Sequence, residues 1–493
     1  MSTMQRFVGL AALLFSSNLA VADDRPHIVW IVVEDMSSHF GYQGETAIQT
    51  PHVDRLAAEG VQFSRAFITA PVCSAARSAL ITGMYQTSIG AHHHRSGRGK
   101  AKIQLPDHVS LIPRLFQEAG YYTTNGDFAQ QGDRIAKTDY NFEYDPAIYD
   151  ANDWLGRSEG QPFFAQIQLN GGKMRGATAQ SFENFARRVE RELGHVTRPE
   201  DVKLPPYYPP DPVILEDWAR YLDTVRLTDH QVGQILQRLE DEGIAEKTYV
   251  FLITDHGVSH ARGKQFCYEE GIHIPFLVRG PGLEAGTIRD DLIVHIDMAA
   301  TSLKMAGIEV PEAMEGLDLF ADNYRPRSFV VSARDRCDET VDRIRSVRTD
   351  RYKYIRNFYP ERPHLQPNTY KDNKAIYQAI RRLEADGRLD PVPSLITAAS
   401  RAPEELYDLD SDPHEVRNLA DDPVHQPALL YHRGLLEGWI QTSGDRGQWP
   451  EPDALYDSDM TAYVDQIRRN DEERAAEIEG NIRQMKQWAS EGK

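Results

Sequence analysis

Two apolar runs constrain the fold of this chain more than any other feature. HIVWIVVED, His27 to Asp35, is nearly continuous in β-branched residues and closes on paired carboxylates, Glu34 and Asp35. YVFLITDHG, Tyr249 to Gly257, repeats the design and closes on Asp255 and His256. Such runs, without polar alternation, read as strands covered on both faces. Between them, helix-prone and apolar segments alternate. TPHVDRLAAEGVQFSRAF predicts a helix from about Pro51 to Gly60 and then a strand, SLIPRLFQEAGYYTTN a second such pair, and LEDWARYLDTVRLTDHQVGQILQRLEDEG a long amphipathic helix. This is the pattern of an α/β fold, a mostly parallel sheet with helices on both faces, where ligands bind at the carboxyl ends of strands. Glu34, Asp35, Asp255 and His256 are therefore expected to converge. Three carboxylates at one point repel, and a hard divalent cation such as Ca2+ is the usual resolution.

The 493 residues suffice for a sizeable core, and a formal net charge of −19 disfavours a broad grip on nucleic acid or on an anionic membrane. Any positive charge used on an anionic substrate must be local. The N-terminus, MSTMQRFVGLAALLFSSNLAVADD, has Arg6 ahead of a short apolar run and ends in small residues at Ala20 to Ala22. That is the layout of a signal peptide over residues 1–22, and it predicts an exported protein, periplasmic or secreted, without a membrane span. In that compartment cysteines tend to pair, yet there are three, Cys73, Cys267 and Cys337.

Cys73 sits in PVCSAARSALITG, Pro71 to Gly83, which reads as a short helix beginning near Cys73 and stopping at Gly83. Cys73 and Arg77 are then one turn apart on one face. A nucleophile at a helix N-terminus beside a guanidinium suits an anionic oxyester, since free N–H groups and arginine both favour negative oxygens.

The stretch resembles the signature of the type I sulfatases, Cys-x-Pro/Ala-x-Arg followed by leucine and Thr-Gly, here Cys73, Ala75, Arg77, Leu80, Thr82 and Gly83. TPHVDRLAAEGVQFSRAF, GKQFCYEEGIHIPFLVRGPG, LIVHIDMAATSLKMAGI and ELYDLDSDPHEVRNLADDP resemble further landmarks of that family, and the layout is similar to the N-sulfoglucosamine sulfohydrolase branch and its bacterial relatives. The resemblance implies an alkaline-phosphatase-like catalytic region (residues 23–324) and a smaller C-terminal antiparallel sheet with a helical tail (325–493). It implies hydrolysis of sulfate esters, or N-sulfate, of a sulfated carbohydrate. The nucleophile would be the hydrate of formylglycine (3-oxoalanine), made from Cys73 by a maturation enzyme. Calcium would be held by Glu34, Asp35, Asp255 and His256 together with position 73; Arg77 would steady the nucleophile and Lys264 would meet the sulfate. The family more often has Asp where Glu34 stands, and Asn is also common at the place of His256.

Two catalytic positions depart from the family pattern. Its Lys-x-His corresponds to Lys137-Thr138-Asp139, after an apparent insertion from Gly126 to Ala136, and an ionised Asp139 cannot donate a hydrogen bond. Its second histidine falls in NGGKMRG, where Lys173 is the candidate, to bind sulfate or, with a depressed pKa, to protonate the leaving oxygen. AHHHRSGRGK, Ala91 to Lys100, is expected to bring one of His92, His93 and His94, with Arg95, to the cleft as the missing donor, with His94 weakly favoured. Beyond Tyr324, Arg334, Arg336 and Arg343 alternate with Asp335, Asp338 and Glu339, a mixture suited to a sulfated sugar and equally to an ion-pair network. A phosphoester or phosphonate hydrolase of the same superfamily, or a non-catalytic saccharide-binding relative, remain alternatives.

Overall fold

Among the residues described by the computed structural model, 24–128, 132–176 and 178–493, eight strands form the larger sheet. They are β1 (His27–Val33), β2 (Val61–Phe67), β3 (Tyr122–Asp127), β4 (Phe163–Leu169), β5 (Thr248–Thr254), β6 (His273–Ile274), β7 (Phe276–Arg279) and β8 (Thr287–Val294). The expected leader, residues 1–22, lies outside the described residues. Strand order is β3-β4-β1-β5-β7-β2-β6, with β8 beside β2. The pairs β3–β4, β4–β1, β1–β5 and β2–β8 are parallel, whereas β7 and the short β6 run antiparallel to β2. The sheet is thus mostly parallel, as its βα alternation requires.

Every residue of β1 and of β4 is buried, because helices cover both faces. The helix Pro51–Glu59 and the 30-residue helix Pro212–Asp241 pack on the side of Val29, Ile31 and Val33. Cys73–Thr82 and Asp297–Met305 pack on the side of Ile28, Trp30 and Val32. The long helix begins three residues before the stretch that predicts it, because Asp211 caps its amino end by accepting from the Val213 N–H.

The smaller sheet is antiparallel, in the order β12-β11-β10-β9, from β9 (Val330–Arg334), β10 (Ile344–Arg348), β11 (Tyr352–Asn357) and β12 (Glu404–Asp408). It adjoins the segment leading to Cys73: the Ser332 hydroxyl donates to the Ile68 carbonyl at 2.6 Å and the Ala333 N–H to that of Thr69 at 2.8 Å. One apolar core accordingly runs from the large sheet through Val331, Val347 and Tyr354 of the small one. The polar tail forms two helices, Asp453–Arg468 and Glu472–Ser490, joined through Tyr456, Met460, Tyr463, Val464, Ala475 and Ile478. No helix of the described residues is long and apolar enough to cross a membrane.

Candidate active site

The parallel register of β1 and β5 aligns Val33 with Thr254, so the residues that follow, Glu34-Asp35 and Asp255-His256, emerge side by side. Asp35 turns sharply there, with φ of 50°, and its N–H donates to Asp255 Oδ1 at 3.1 Å. A left-handed backbone at a non-glycine residue is costly and needs such support.

Cys73 opens its helix as expected, and Gly83, with φ of 65°, closes it by donating back to Ala79 and Leu80. The Cys73 sulfur lies 3.1 Å from His256 Nε2, 3.0 Å from Lys264 Nζ, and 3.9 Å from both Asp35 Oδ1 and Lys173 Nζ. One turn on, Arg77 spans the carboxylates: Nε donates to Asp255 Oδ2 and Nη2 to Glu34 Oε1, both at 3.1 Å, while Nη1 reaches Gln168 Oε1 at 2.7 Å. Lys264 Nζ also donates to Asp35 Oδ1 at 3.1 Å.

Lys137 and Lys173 both end on Glu34. Each has a local cause. Asn125 closes the base of the insertion, its carbonyl accepting from the Ala136 N–H and its side chain donating to the Ala136 carbonyl, which places Lys137 at the strand ends. Gly171 and Gly172 let the turn after β4 touch β1. A Cβ on Gly171 would fall 2.1 Å from the Glu34 carbonyl oxygen, and one on Gly172 would fall 2.1 Å from that of Asp35. Only glycines permit this approach, and it delivers Lys173 to the cleft.

Electrostatics follow from this crowding. Burial pushes the Cys73 thiol up, but Lys173, Lys264 and Lys137 outweigh it and hold the thiol well below its ordinary value. Burial likewise raises Glu34, and Lys137, Lys173 and Arg77 bring it below the usual carboxylate range. Asp255 is raised, by burial above all. Burial lowers Lys173, but Cys73, Asp35 and Glu34 lift it well above an ordinary ammonium, opposite to the depression a proton donor would need.

Glu34, Asp35, Asp255 and His256 form a donor set that fits a divalent cation. Asp35, Cys73 and His256 bring ligand atoms within 4.8 Å of one another. His256 Nδ1 lies 2.8 Å from the Gly257 carbonyl, which only accepts, so its proton sits there and Nε2 faces the carboxylates. Burial opposes charge on this ring, yet Asp255 and Cys73 raise its pKa above the ordinary imidazole value.

Of the three successive histidines, His94 approaches the nucleophile: it, Cys73 and Asp139 place ligand atoms within 4.8 Å of each other. Its Nδ1 is 3.3 Å from Asp338 Oδ1. The His92 and His93 rings lie 4.2 Å apart at a tilt of 48°, and His93 Nδ1 accepts from the Arg336 N–H at 3.3 Å. Arg95 donates to Asp139 Oδ1 at 3.2 Å. Arg334 and Arg336, expected to face a sugar, are only 2% and 1% exposed. The first pairs with Asp342 and the second with Glu451 and Asp459, so the charge-rich segment folds into a buried ion-pair network here. Cys267 and Cys337 are buried free thiols.

Tyr370 and Gln168 were not legible as site residues. The Tyr370 hydroxyl donates to Asp35 Oδ2 at 2.9 Å, and its ring lies 4.9 Å from Lys264 Nζ. It arrives from a short helix, Thr369–Asp372, whose sequence carries no chemical signal. Gln168 is the second of two glutamines, with Gln166, on one face of a strand that is apolar elsewhere, a pattern that could have marked it.

This geometry agrees with what the chain is similar to. Residues 26–308 match the Sulfatase family, and residues 256–370 match "N-sulphoglucosamine sulphohydrolase, C-terminal". An ulvan-active sulfatase of Formosa agariphila is 33% identical over 471 residues, covering 88% of this chain and 77% of that protein. Human N-sulphoglucosamine sulphohydrolase is 24% identical over 481 residues, covering 87% of this chain and 92% of that protein. A crystal structure described as that of a putative sulfatase from Bacteroides thetaiotaomicron superposes with a TM-score of 0.61 at 21% identity, covering 87% of this chain and 96% of the other. The chain belongs to the sulfatase family. It is a sulfuric ester hydrolase.

Proposed function

We propose that this enzyme removes sulfate from a sulfated carbohydrate, that residue 73 acts as formylglycine, and that Glu34, Asp35, Asp255 and His256 hold one Ca2+. The observation that carries the reading is the position of the Cys73 sulfur, which marks where the oxygens of a hydrated aldehyde would lie: on a helix N-terminus, between the carboxylates and the cations. Hydration of the aldehyde supplies two hydroxyls on one carbon, one to attack sulfur and the other to expel sulfate afterwards. The bound cation would supply charge against the sulfate oxygens.

The chain's own residues account for the rest. Arg77, anchored by Glu34 and Asp255, fixes the start of the helix and keeps the nucleophile beside His256. Lys264 and Lys173 flank position 73 and act as fixed positive charges where negative charge grows on the sulfate. Lys137 joins them through Glu34 and Asp139. His94, backed by Asp338, is the group placed to give a proton to the departing sugar oxygen. Burial lowers its pKa, but Cys337 and Asp338 raise it well above the ordinary imidazole value, which keeps it charged and able to donate.

The leader predicted at residues 1–22 fits an exported enzyme that meets extracellular polysaccharide. A panel of aryl sulfate, phosphate monoester and phosphodiester tests the reaction class: the sulfate ester should be turned over fastest by enzyme made together with a formylglycine-generating system. A phosphorus ester hydrolysed faster would replace this reading with that of a phosphoester hydrolase.

A further inference from the structure

A cavity of about 640 Å³ lies between the small sheet and the C-terminal helices. His93 forms part of its wall, one residue from the histidine that approaches Cys73, and the rest includes Arg343, Tyr359, Arg362, Trp449 and Lys486. The carboxylates buried around it are already claimed: Asp342 by Arg334 and Arg401, Asp335 by Arg345, and Glu451 by Arg336. Lys486 has Asp457 at 2.5 Å.

Two further guanidiniums stand in this wall. Arg343 stacks on Phe358, with its carbon 3.8 Å from the ring centroid, and gives Nη1 to the Gln448 carbonyl at 2.9 Å. Arg362, 2% exposed, stacks on Tyr359 and donates to the Val341 carbonyl and, at 2.7 Å, to a terminal carboxylate oxygen of Lys493. Arg343 has no Asp or Glu carboxylate within ion-pair reach among the described residues, whereas Arg362 meets the terminal carboxylate of Lys493, and the Nε of each is buried without a hydrogen-bond partner. Burial lowers both pKa values; Arg345 adds to this at Arg343 while Asp335 and Asp445 oppose it, and at Arg362 Asp342 opposes it while Arg401 adds to it. A guanidinium without an ion-pair partner in the wall of a cavity is a place for an anionic group.

Beside this charge stands Trp449, 69% exposed. A lone exposed aromatic means little. A tryptophan face next to a free guanidinium in a concave site matches one chemistry well, an anionic sugar, whose ring stacks while its charged group meets the arginine. Asp453, exposed in the same wall, offers an acceptor for hydroxyls.

We propose that this cavity is a second saccharide-binding site, in which Trp449 and Arg343 hold a sulfated or carboxylated sugar unit of the substrate away from the sulfate being cleaved. Arg362 lies too deep to make that contact. The proposal rests on the reading of the enzyme as a carbohydrate sulfatase, and its test is built so that the two fail separately.

Retention on dextran sulfate, compared with neutral dextran, is measured by affinity electrophoresis in the Cys73→Ala background, where turnover plays no part. Arg343→Gln and Trp449→Ala should each weaken retention on dextran sulfate by about tenfold, the worth of one charge-assisted contact. Retention equal to the parent in both variants would overturn the site. With Cys73 restored, Trp449→Ala should hydrolyse a small aryl sulfate at the parental rate. Loss of that activity in a folded variant would place Trp449 at the reaction centre and overturn the distal assignment. If no form of the enzyme cleaved the aryl sulfate while the retention differences held, the sulfatase reading would fall and the anionic-saccharide site would stand.

Discussion

Lys173 and His94 divide between them work that the sequence offers to Lys173 and to the run His92 to His94 without choosing. Lys173 is held charged by Glu34, Asp35 and Cys73, whereas His94 pairs with Asp338 and reaches toward position 73. Lys173→Ala should therefore slow an activated aryl sulfate and an alkyl-type sugar sulfate alike, because both need their sulfate oxygens stabilised. His94→Gln should spare the aryl sulfate and cost about 10²-fold on the sugar sulfate, whose poor leaving group needs the proton. Parallel rate measurements on the two substrates decide it, and the reverse pattern would return proton donation to Lys173. The ambiguity was inherent in the sequence. Three adjacent histidines in an irregular loop have no period to assign faces, and the ring that points inward is chosen by contacts with Asp338 and Cys337, distant in the chain. Tyr370 was hidden for the same reason, being 335 residues from the Asp35 it touches.

At the scale of elements, what could be read was whatever carries its own cause. The two acidic strands are self-contained apolar runs, and the Cys73 helix has its start and stop written beside it, so their positions followed directly. The fourth strand of the small sheet, β12, lies in ELYDLDSDP, which looked like a landmark without chemistry; it is a strand because β11 offers it an edge. The charged segment beyond Tyr324 suits a sugar contact and an ion-pair network equally, and Arg334 and Arg336 spend their charges inside the protein. Asp342 shows the consequence for stability. Burial raises its carboxyl, but Arg401 and Arg334 more than offset this and bring it from 3.8 to about 2. A depressed carboxylate contributes stability that is fully present above its unfolded value near 3.8 and is lost as pH falls through about 2. The difference is worth about 2 kcal/mol at most. Asp342→Asn should accordingly lower the unfolding midpoint strongly at neutral pH and by a shrinking margin as pH is taken below that window, read by thermal denaturation at each pH. A margin that stays constant into strong acid would show that the pair with Arg401 and Arg334 is not what Asp342 contributes.

Taken whole, the molecule gathers Glu34, Asp35 and Asp255 at the meeting of β1 and β5, and a cation held there, as proposed, would couple its binding to folding. Occupancy of the native state alone stabilises it by mass action, by about 2.7 kcal/mol when the free cation exceeds its Kd a hundredfold. Chelation followed by dialysis should lower the unfolding midpoint and abolish activity together, and Ca2+ should restore both. Activity that survives chelation, with no metal found by elemental analysis, would remove the cation from the account. The cation and the cationic side chains only prepare the site, however, and the account stands or falls on residue 73. The most direct measurement is the mass of the tryptic peptide Ala66 to Arg77, AFITAPVCSAAR, from enzyme that turns over sulfate esters. It should show sulfur replaced by oxygen with two hydrogens lost, and the peptide should react with a hydrazide. Full activity from enzyme whose Cys73 is an unmodified thiol throughout would contradict the account.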